Sequence, residues 1–330
     1  MFTPTEMQFD GLLFIGDPHV SSRRPGRRKD DYLASVLEKL AFCAQLCRTH
    51  NLLPVILGDL LHRNDDSNLK LLNGLVAALK QFPVPPLALE GNHDKEETSL
   101  TDADVLFLLA QTGVVQVITE PGLVGTYQVQ GKPVRLFAAP YGSPIPKSVA
   151  AGEGTAVLIT HHDMAFEGAY PGSLAIEEVK GVAMVVNGHM HDTKPSVTVG
   201  QTVWYNPGNI EPLSVDVAHH VPCAWVWNGE ANQPLVAEKL PHGADLFDLT
   251  GLQVAAGDAD AAVAALQTSS KFAEMIAEES AKQSDAERTD DVSVLGEDLE
   301  QTFGASGVSP ATQSLLRALL GDVRSDALAA

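Results

Sequence analysis

Four apolar runs of strand length are each followed, within one residue, by a glycine and by side chains able to ligate a metal. A fifth ends on two histidines. Gly16-Asp17-Pro18-His19 follows residues 12–15, and Gly58-Asp59-Leu60-Leu61-His62-Arg63 follows 53–57. Gly91-Asn92-His93-Asp94 follows 85–89, His161-His162 follows 156–160, and Gly188-His189-Met190-His191 follows 182–186. Side chains at the carboxyl ends of strands in an open α/β sheet converge on one crevice. The pattern therefore predicts that groups far apart in the chain meet in space. Any one segment alone is an ordinary turn or a core histidine. Of the 11 histidines, however, seven lie in these segments, and it is the ordered set that carries the chemistry.

Between the first strands lie helical patterns over 31–48, 68–79 and 103–110, with apolar residues such as Leu33, Val36, Leu37, Leu40 and Ala41 at helical spacing. Strands alternating with helices predict parallel βαβ units. From Gly122 the pattern changes. Runs at 123–129 and 134–138 predict a hairpin around Gly131-Lys132, a Pro/Gly-rich loop covers 140–146, and further strands fall at 197–199, 202–205 and 224–227. After about residue 240, Ala, Asp, Glu and Ser dominate, with helical runs at 259–267, 272–282 and 310–320. The reading is an α/β domain over 1–240 and an acidic tail over 241–330, helical or partly disordered.

The formal net charge is −20, which argues against holding nucleic acid by bulk electrostatics alone. A local exception is Arg23-Arg24-Pro25-Gly26-Arg27-Arg28-Lys29, between the first metal-competent segment and the first helix, where it should border the crevice. Arg23, Arg24, Arg27 and Arg28 are its candidate contacts to a phosphate backbone; a solvated charged loop is the alternative. Cys43, Cys47 and Cys223 read as buried reduced thiols, since no further ligands complete a zinc site. No apolar run approaches bilayer length, and the first residues lack the pattern of a signal peptide, so the expected location is the cytoplasm.

Carboxylate, amide and imidazole donors without a thiolate suit a pair of divalent cations such as manganese, iron or zinc rather than calcium. A carboxylate shared by both ions gives the two-metal arrangement used for in-line displacement at phosphorus. The ordered set resembles the calcineurin-like metallophosphoesterase signature from about Leu12 to Asn209. The resemblance implies a four-layer αββα sandwich and a metal-dependent phosphoesterase. It implies that Asp17, His19, Asp59 and His191 hold one ion, and Asp59, Asn92, His161 and His189 the other. His161 is preferred to His162 because it comes first after its strand. His93 is placed to protonate the leaving oxygen, with Asp94 as its orienting partner or, alternatively, as a helix cap.

The histidine at position 62 stands where the commoner family pattern has aspartate. Gly58-Asp59-Leu60-Leu61-His62 is similar to the SbcD-type nuclease subunits of double-strand-break repair complexes. That likeness implies a DNA exo- or endonuclease in repair or recombination, manganese as the favoured metal, His62 as a second phosphate-handling group, and an SbcC-like coiled-coil ATPase as partner. Apolar groups such as Phe272 and Ile276 in the tail are the candidate partner-binding element. The chain departs from those subunits in lacking strand signal after residue 240 for a DNA-guiding domain. Two rivals remain: a small-molecule phosphoesterase acting on cyclic nucleotides or phosphomonoesters, and a non-catalytic scaffold, against which the complete donor set speaks.

Overall fold

The central strands are buried on both faces, and this is why their sequences run apolar without alternation. A computed structural model describes residues 8–167, 172–217, 220–231 and 233–248. The tail helices expected at 259–267, 272–282 and 310–320 lie outside these described residues.

In chain order the elements are β1 (Gln8–Phe9), β2 (Gly11–Ile15), α1 (Tyr32–His50), β3 (Leu52–Ile56), α2 (Leu69–Leu79), β4 (Leu87–Leu89), α3 (Val105–Gln111) and β5 (Gln116–Ile118). There follow β6 (Gly122–Val129), β7 (Lys132–Ala139), β8 (Thr155–His161), β9 (Met184–Gly188), β10 (Lys194–Val199), β11 (Thr202–Asn206), β12 (Cys223–Trp227) and β13 (Val236–Lys239). One sheet has the order β13-β12-β2-β3-β4-β5 and the other β1-β6-β7-β8-β9-β11-β10. Strands β2 to β5 pair in parallel, as do β7, β8 and β9. The β6–β7 hairpin turns at Gln130 and Gly131, both at positive φ (49° and 74°), which suits the right-handed twist of the strands.

The two sheets pack face to face. Leu13 and Ile15 of β2 point to the helices, where they meet Val36, Leu40, Cys43 and Cys47 of α1. Leu12 and Phe14 point the other way, to Val134, Leu136, Val157, Ile159 and Val186 of the second sheet. Each such fully buried side chain contributes roughly 1.5–3 kcal/mol. Helix α1 is started by Asp31, whose carboxylate accepts the Ala34 N–H at 3.2 Å, and ended by Asn51 in the left-handed conformation. Asn68 caps α2 in the same way, accepting from Lys70 and Leu71. The outer face of the second sheet packs on Met164, Phe166, Val179 and Val182 from irregular chain rather than on a helix among the described residues. All three cysteines are buried and unpaired. No helix among the described residues is long and apolar enough to cross a membrane.

Packing continues past the boundary expected at residue 240. Leu240 and Phe247 are buried, and residues 245–248 run beside the basic loop, with Lys29 N–H donating to Leu246 O and Asp248 N–H to Arg27 O, at 2.9 and 2.8 Å.

Candidate metal centre

Every metal-competent segment sits at the carboxyl end of a parallel strand: β2, β3 and β4 in one sheet, β8 and β9 in the other. The turns leaving these strands are tight. Asp17, His19, Asp59 and His189 all have positive φ, at 33°, 46°, 47° and 74°. Non-glycine residues held there store strain that clusters at functional sites. The first two turns are zipped together by His19 N–H to Asp59 O and Val20 N–H to Leu60 O, both 2.9 Å. Two glycines are required by the close approach. A Cβ on Gly91 would stand 2.2 Å from Asp59 Oδ1, and one on Gly58, at φ +113°, 2.2 Å from His161 Nδ1.

Asp59 lies between two groups of donors. On one side, His19 Nε2 is 3.5 Å from Asp59 Oδ2 and 2.9 Å from His191 Nε2. On the other, His161 Nε2 is 3.3 Å from Asp59 Oδ2 and 3.2 Å from Asn92 Oδ1, and His189 Nδ1 is 3.0 Å from the same amide oxygen. Asp17 Oδ1 lies 3.5 Å from His161 Nδ1. Both oxygens of Asp17, Oδ2 of Asp59 and Nδ1 of His19 are buried without a hydrogen-bond partner. Buried polar atoms are nearly always satisfied, so the orphaned carboxylate oxygens of Asp17 and Asp59 fit divalent cations as the missing partners. The donors of Asp59, His161 and His189 lie within 4.8 Å of one another.

His161 and His162 part company. His161 Nδ1–H donates to Leu57 O at 2.8 Å, which fixes the ring and turns Nε2 toward Asp59 and Asn92. His162 Nε2 instead meets Ser143 O at 2.8 Å. Asp94 does not orient His93. Its two oxygens accept the N–H groups of Leu61 and Gly91, both at 3.0 Å, bracing the turns after β3 and β4. His93 is oriented instead by the His62 carbonyl, 2.9 Å from its Nδ1, and its own N–H donates to Asp59 Oδ1 at 2.8 Å. The His62 ring stacks on His93 with centroids 5.5 Å apart, and the donors of His19, His62 and His93 lie within 4.8 Å of one another.

The basic loop divides. Arg23, Arg24 and Arg27 are exposed, Arg27 Nη1 reaching Asp248 O at 3.5 Å. Arg28, expected as a phosphate contact, is 2% exposed. Its guanidinium pairs with Asp30 and Glu211, donates to Pro212 O at 2.7 Å, and stacks on Tyr32 at 5.2 Å. Glu211, wholly buried, also accepts from Lys39 Nζ at 2.5 Å and Ser35 Oγ at 2.9 Å. Sequence reasoning missed this carboxylate, a lone acid 183 residues from Arg28 with no pattern around it. Glu211→Ala would leave the buried Lys39 without its anion and the buried Arg28 with Asp30 alone. The expected loss is about 3–5 kcal/mol of stability, read from urea unfolding. A loss below about 1 kcal/mol would show that the cations escape to solvent.

Burial pushes Asp17 up to about 7, Asp59 adding to the effect and His161 opposing it. Burial would lower His161, but the Asp59 and Asp17 carboxylates hold it up at about 9. His189 and His191 are lowered to about 4, by burial first. Ligands bind metal only after losing their protons. Metal affinity is therefore expected to rise between about pH 6 and 9, with proton release on binding, as the coupled Asp17 and His161 cluster loses its protons. In the metal-free protein, His161 contributes stability that is fully present below pH 6.5 and lost as pH rises through about 9. Manganese titrations by calorimetry at pH 6 and 8.5, in buffers of different ionisation enthalpy, check the binding. Equal affinities with no proton release would contradict it.

The calcineurin-like phosphoesterase family matches residues 12–193, more than half of the chain. The chain belongs to this family. It is a metal-dependent phosphoesterase by that membership, and its donor set fits the divalent ions that the family uses. Among curated proteins, none matches. Solved structures similar to it include a hypothetical protein from Thermus thermophilus, at 13% identity and TM-score 0.41, covering 70% of this chain and 100% of that one. Another is a 5'-nucleotidase precursor from the same organism, at 10% identity and TM-score 0.41, with 70% of this chain and 54% of that one covered. The chain thus spans about half the length of that precursor.

Proposed function

We propose that the chain is a two-metal phosphodiesterase acting on nucleic-acid phosphodiesters, DNA foremost, with manganese as its metal. The observation that carries this reading is the stacked pair His62 and His93 beside His19. His93 has Nδ1–H committed to the His62 carbonyl, which leaves Nε2 to give a proton to a leaving oxygen. His62 is stacked on His93 with one ring nitrogen grouped with those of His19 and His93, a position from which it would hold a non-bridging oxygen of a diester. Asp17, His19, Asp59 and His191 would hold one divalent ion, and Asp59, Asn92, His161 and His189 the other. Bound there, the pair supplies positive charge to the phosphate and lowers the pKa of water. The protein's own part is to fix the donors on strained turns, to bridge through Asp59, and to deliver the proton from His93.

A second reading, a small phosphodiester as substrate, is favoured by the basic loop. Arg28 is buried in an internal ion network and Lys29 pairs with Asp245 at 2.6 Å, leaving fewer cations for a strand than the sequence suggests. The deciding assay sets linear duplex DNA, single-stranded DNA and methyl p-nitrophenyl phosphate against the purified protein with manganese. DNA cleavage is expected, reduced about 10- to 100-fold by His62→Ala, the value of one hydrogen bond to a charged group. Intact DNA with hydrolysis of the small diester would favour the second reading. With p-nitrophenyl phosphate included as the monoester, its hydrolysis alone would overturn both. A coiled-coil ATPase partner belongs to the DNA reading, and co-purification tests it. A truncation made for that purpose belongs after Asp248, since residues 240–248 pack on the catalytic unit.

A further inference from the structure

A cavity of about 680 Å³, the size of a small-molecule site, is bounded by Glu90, Lys95, Glu120 and Tyr141. Tyr141 is 40% exposed, and its ring lies 5.7 Å from the His189 ring and 6.2 Å from that of His161. The Tyr141 backbone is tied to the strand end at Glu90. Tyr141 N–H donates to Glu90 O at 3.2 Å, and Lys95 binds both the Glu90 carboxylate and Thr98 O. The other Glu90 oxygen is buried without a hydrogen-bond partner.

The charge of this cavity selects its occupant. Glu90, Glu96, Glu97 and Glu120 line it, and the ammonium of Lys95 is already paired with Glu90. A second phosphate would meet uncompensated carboxylates there, so a polyanionic strand does not run through it. A neutral flat group carrying N–H donors fits on both counts, stacking on the phenol ring and donating to carboxylate oxygens. Nucleobases with an amino group are such a class.

We infer that this cavity is a nucleoside subsite, holding the base of the nucleotide at one end of the substrate against Tyr141. The inference rests on the phosphodiesterase reading above and deepens it. The bond cut is then the last in a strand, or the single one in a dinucleotide, and the remainder of the substrate leaves on the side away from the carboxylates.

The test is binding as well as turnover. Cytidine 5′-monophosphate and ribose 5-phosphate are titrated calorimetrically into the wild type, Tyr141→Ala and Tyr141→Phe, all with manganese. Stacking of one base is worth about 1–3 kcal/mol. The cytidine compound should therefore bind about 5- to 150-fold more tightly to the wild type, lose that advantage in Tyr141→Ala and keep most of it in Tyr141→Phe. Equal affinity of the two compounds for the wild type would overturn the inference. So would an advantage that survives Tyr141→Ala. Hydrolysis of methyl p-nitrophenyl phosphate by the same wild-type preparation reports separately on the phosphodiesterase reading. Base-dependent binding without that hydrolysis would sink the reading and leave the subsite standing.

Discussion

Asp59→Ala is expected to lower phosphodiester hydrolysis more than 100-fold and to reduce the bound metal from two ions to one or none. The carboxylate occupies the one position shared by both groups of donors. Oδ2 faces His19 Nε2 at 3.5 Å and His161 Nε2 at 3.3 Å, while Oδ1 accepts the N–H of His93 at 2.8 Å. Even outer partners of a metal site cost 10–100-fold when removed, and a group that bridges two ions costs more. Burial would raise Asp59, yet His161 and His19 hold it well below the usual carboxylate range, so it is charged and ready at any working pH. Asp59→Asn is the companion variant. It keeps the shape and one oxygen, and it should fold as the wild type does while binding metal weakly. Elemental analysis beside turnover gives the result. Two ions per chain retained in Asp59→Ala would remove Asp59 from the bridge.

The strand ends were legible because each strand is a short apolar run and each turn begins with a group of distinctive chemistry. The expected strand 53–57 is β3, Leu52–Ile56, and the expected helix 31–48 is α1, Tyr32–His50. The short edge elements were not legible. β1 has two residues, and β13 is exposed along most of its length, so neither carries a burial pattern in its sequence. Arg28 misled for a different reason. A run of bases reads as solvated surface, and only the fold brings Glu211, Asp30, Tyr32 and Phe247 around one guanidinium. Asp94 looked like a partner for its neighbour His93, but its backbone partners come from two turns that meet only in the folded chain. Tyr141 sits in a Pro/Gly-rich loop with nothing in its sequence to mark it. At the strand ends a local motif announced each donor, while the residues that aim or surround it were settled by long-range packing.

His93→Ala should separate proton delivery from metal binding. Loss of a positioned acid costs about 10²–10⁴-fold when the leaving group must be protonated. An alkoxide leaving from DNA or a dinucleotide is such a group, whereas p-nitrophenolate departs as a stable anion and needs little help. The variant is therefore expected to lose about 10²–10⁴-fold on a dinucleotide and far less on methyl p-nitrophenyl phosphate, with two metal ions still bound. The geometry supports the separation. The His93 backbone N–H, not its ring, meets Asp59, so removing the ring leaves the hydrogen bond to the Asp59 carboxylate in place. The ring is anchored at Nδ1 by the His62 carbonyl, which leaves Nε2 as the nitrogen that would meet a leaving oxygen. Equal losses on both substrates would mean that the imidazole stabilises charge on the phosphate instead of donating a proton. His62→Ala distinguishes the two roles, since a group that binds a non-bridging oxygen should slow both substrates alike.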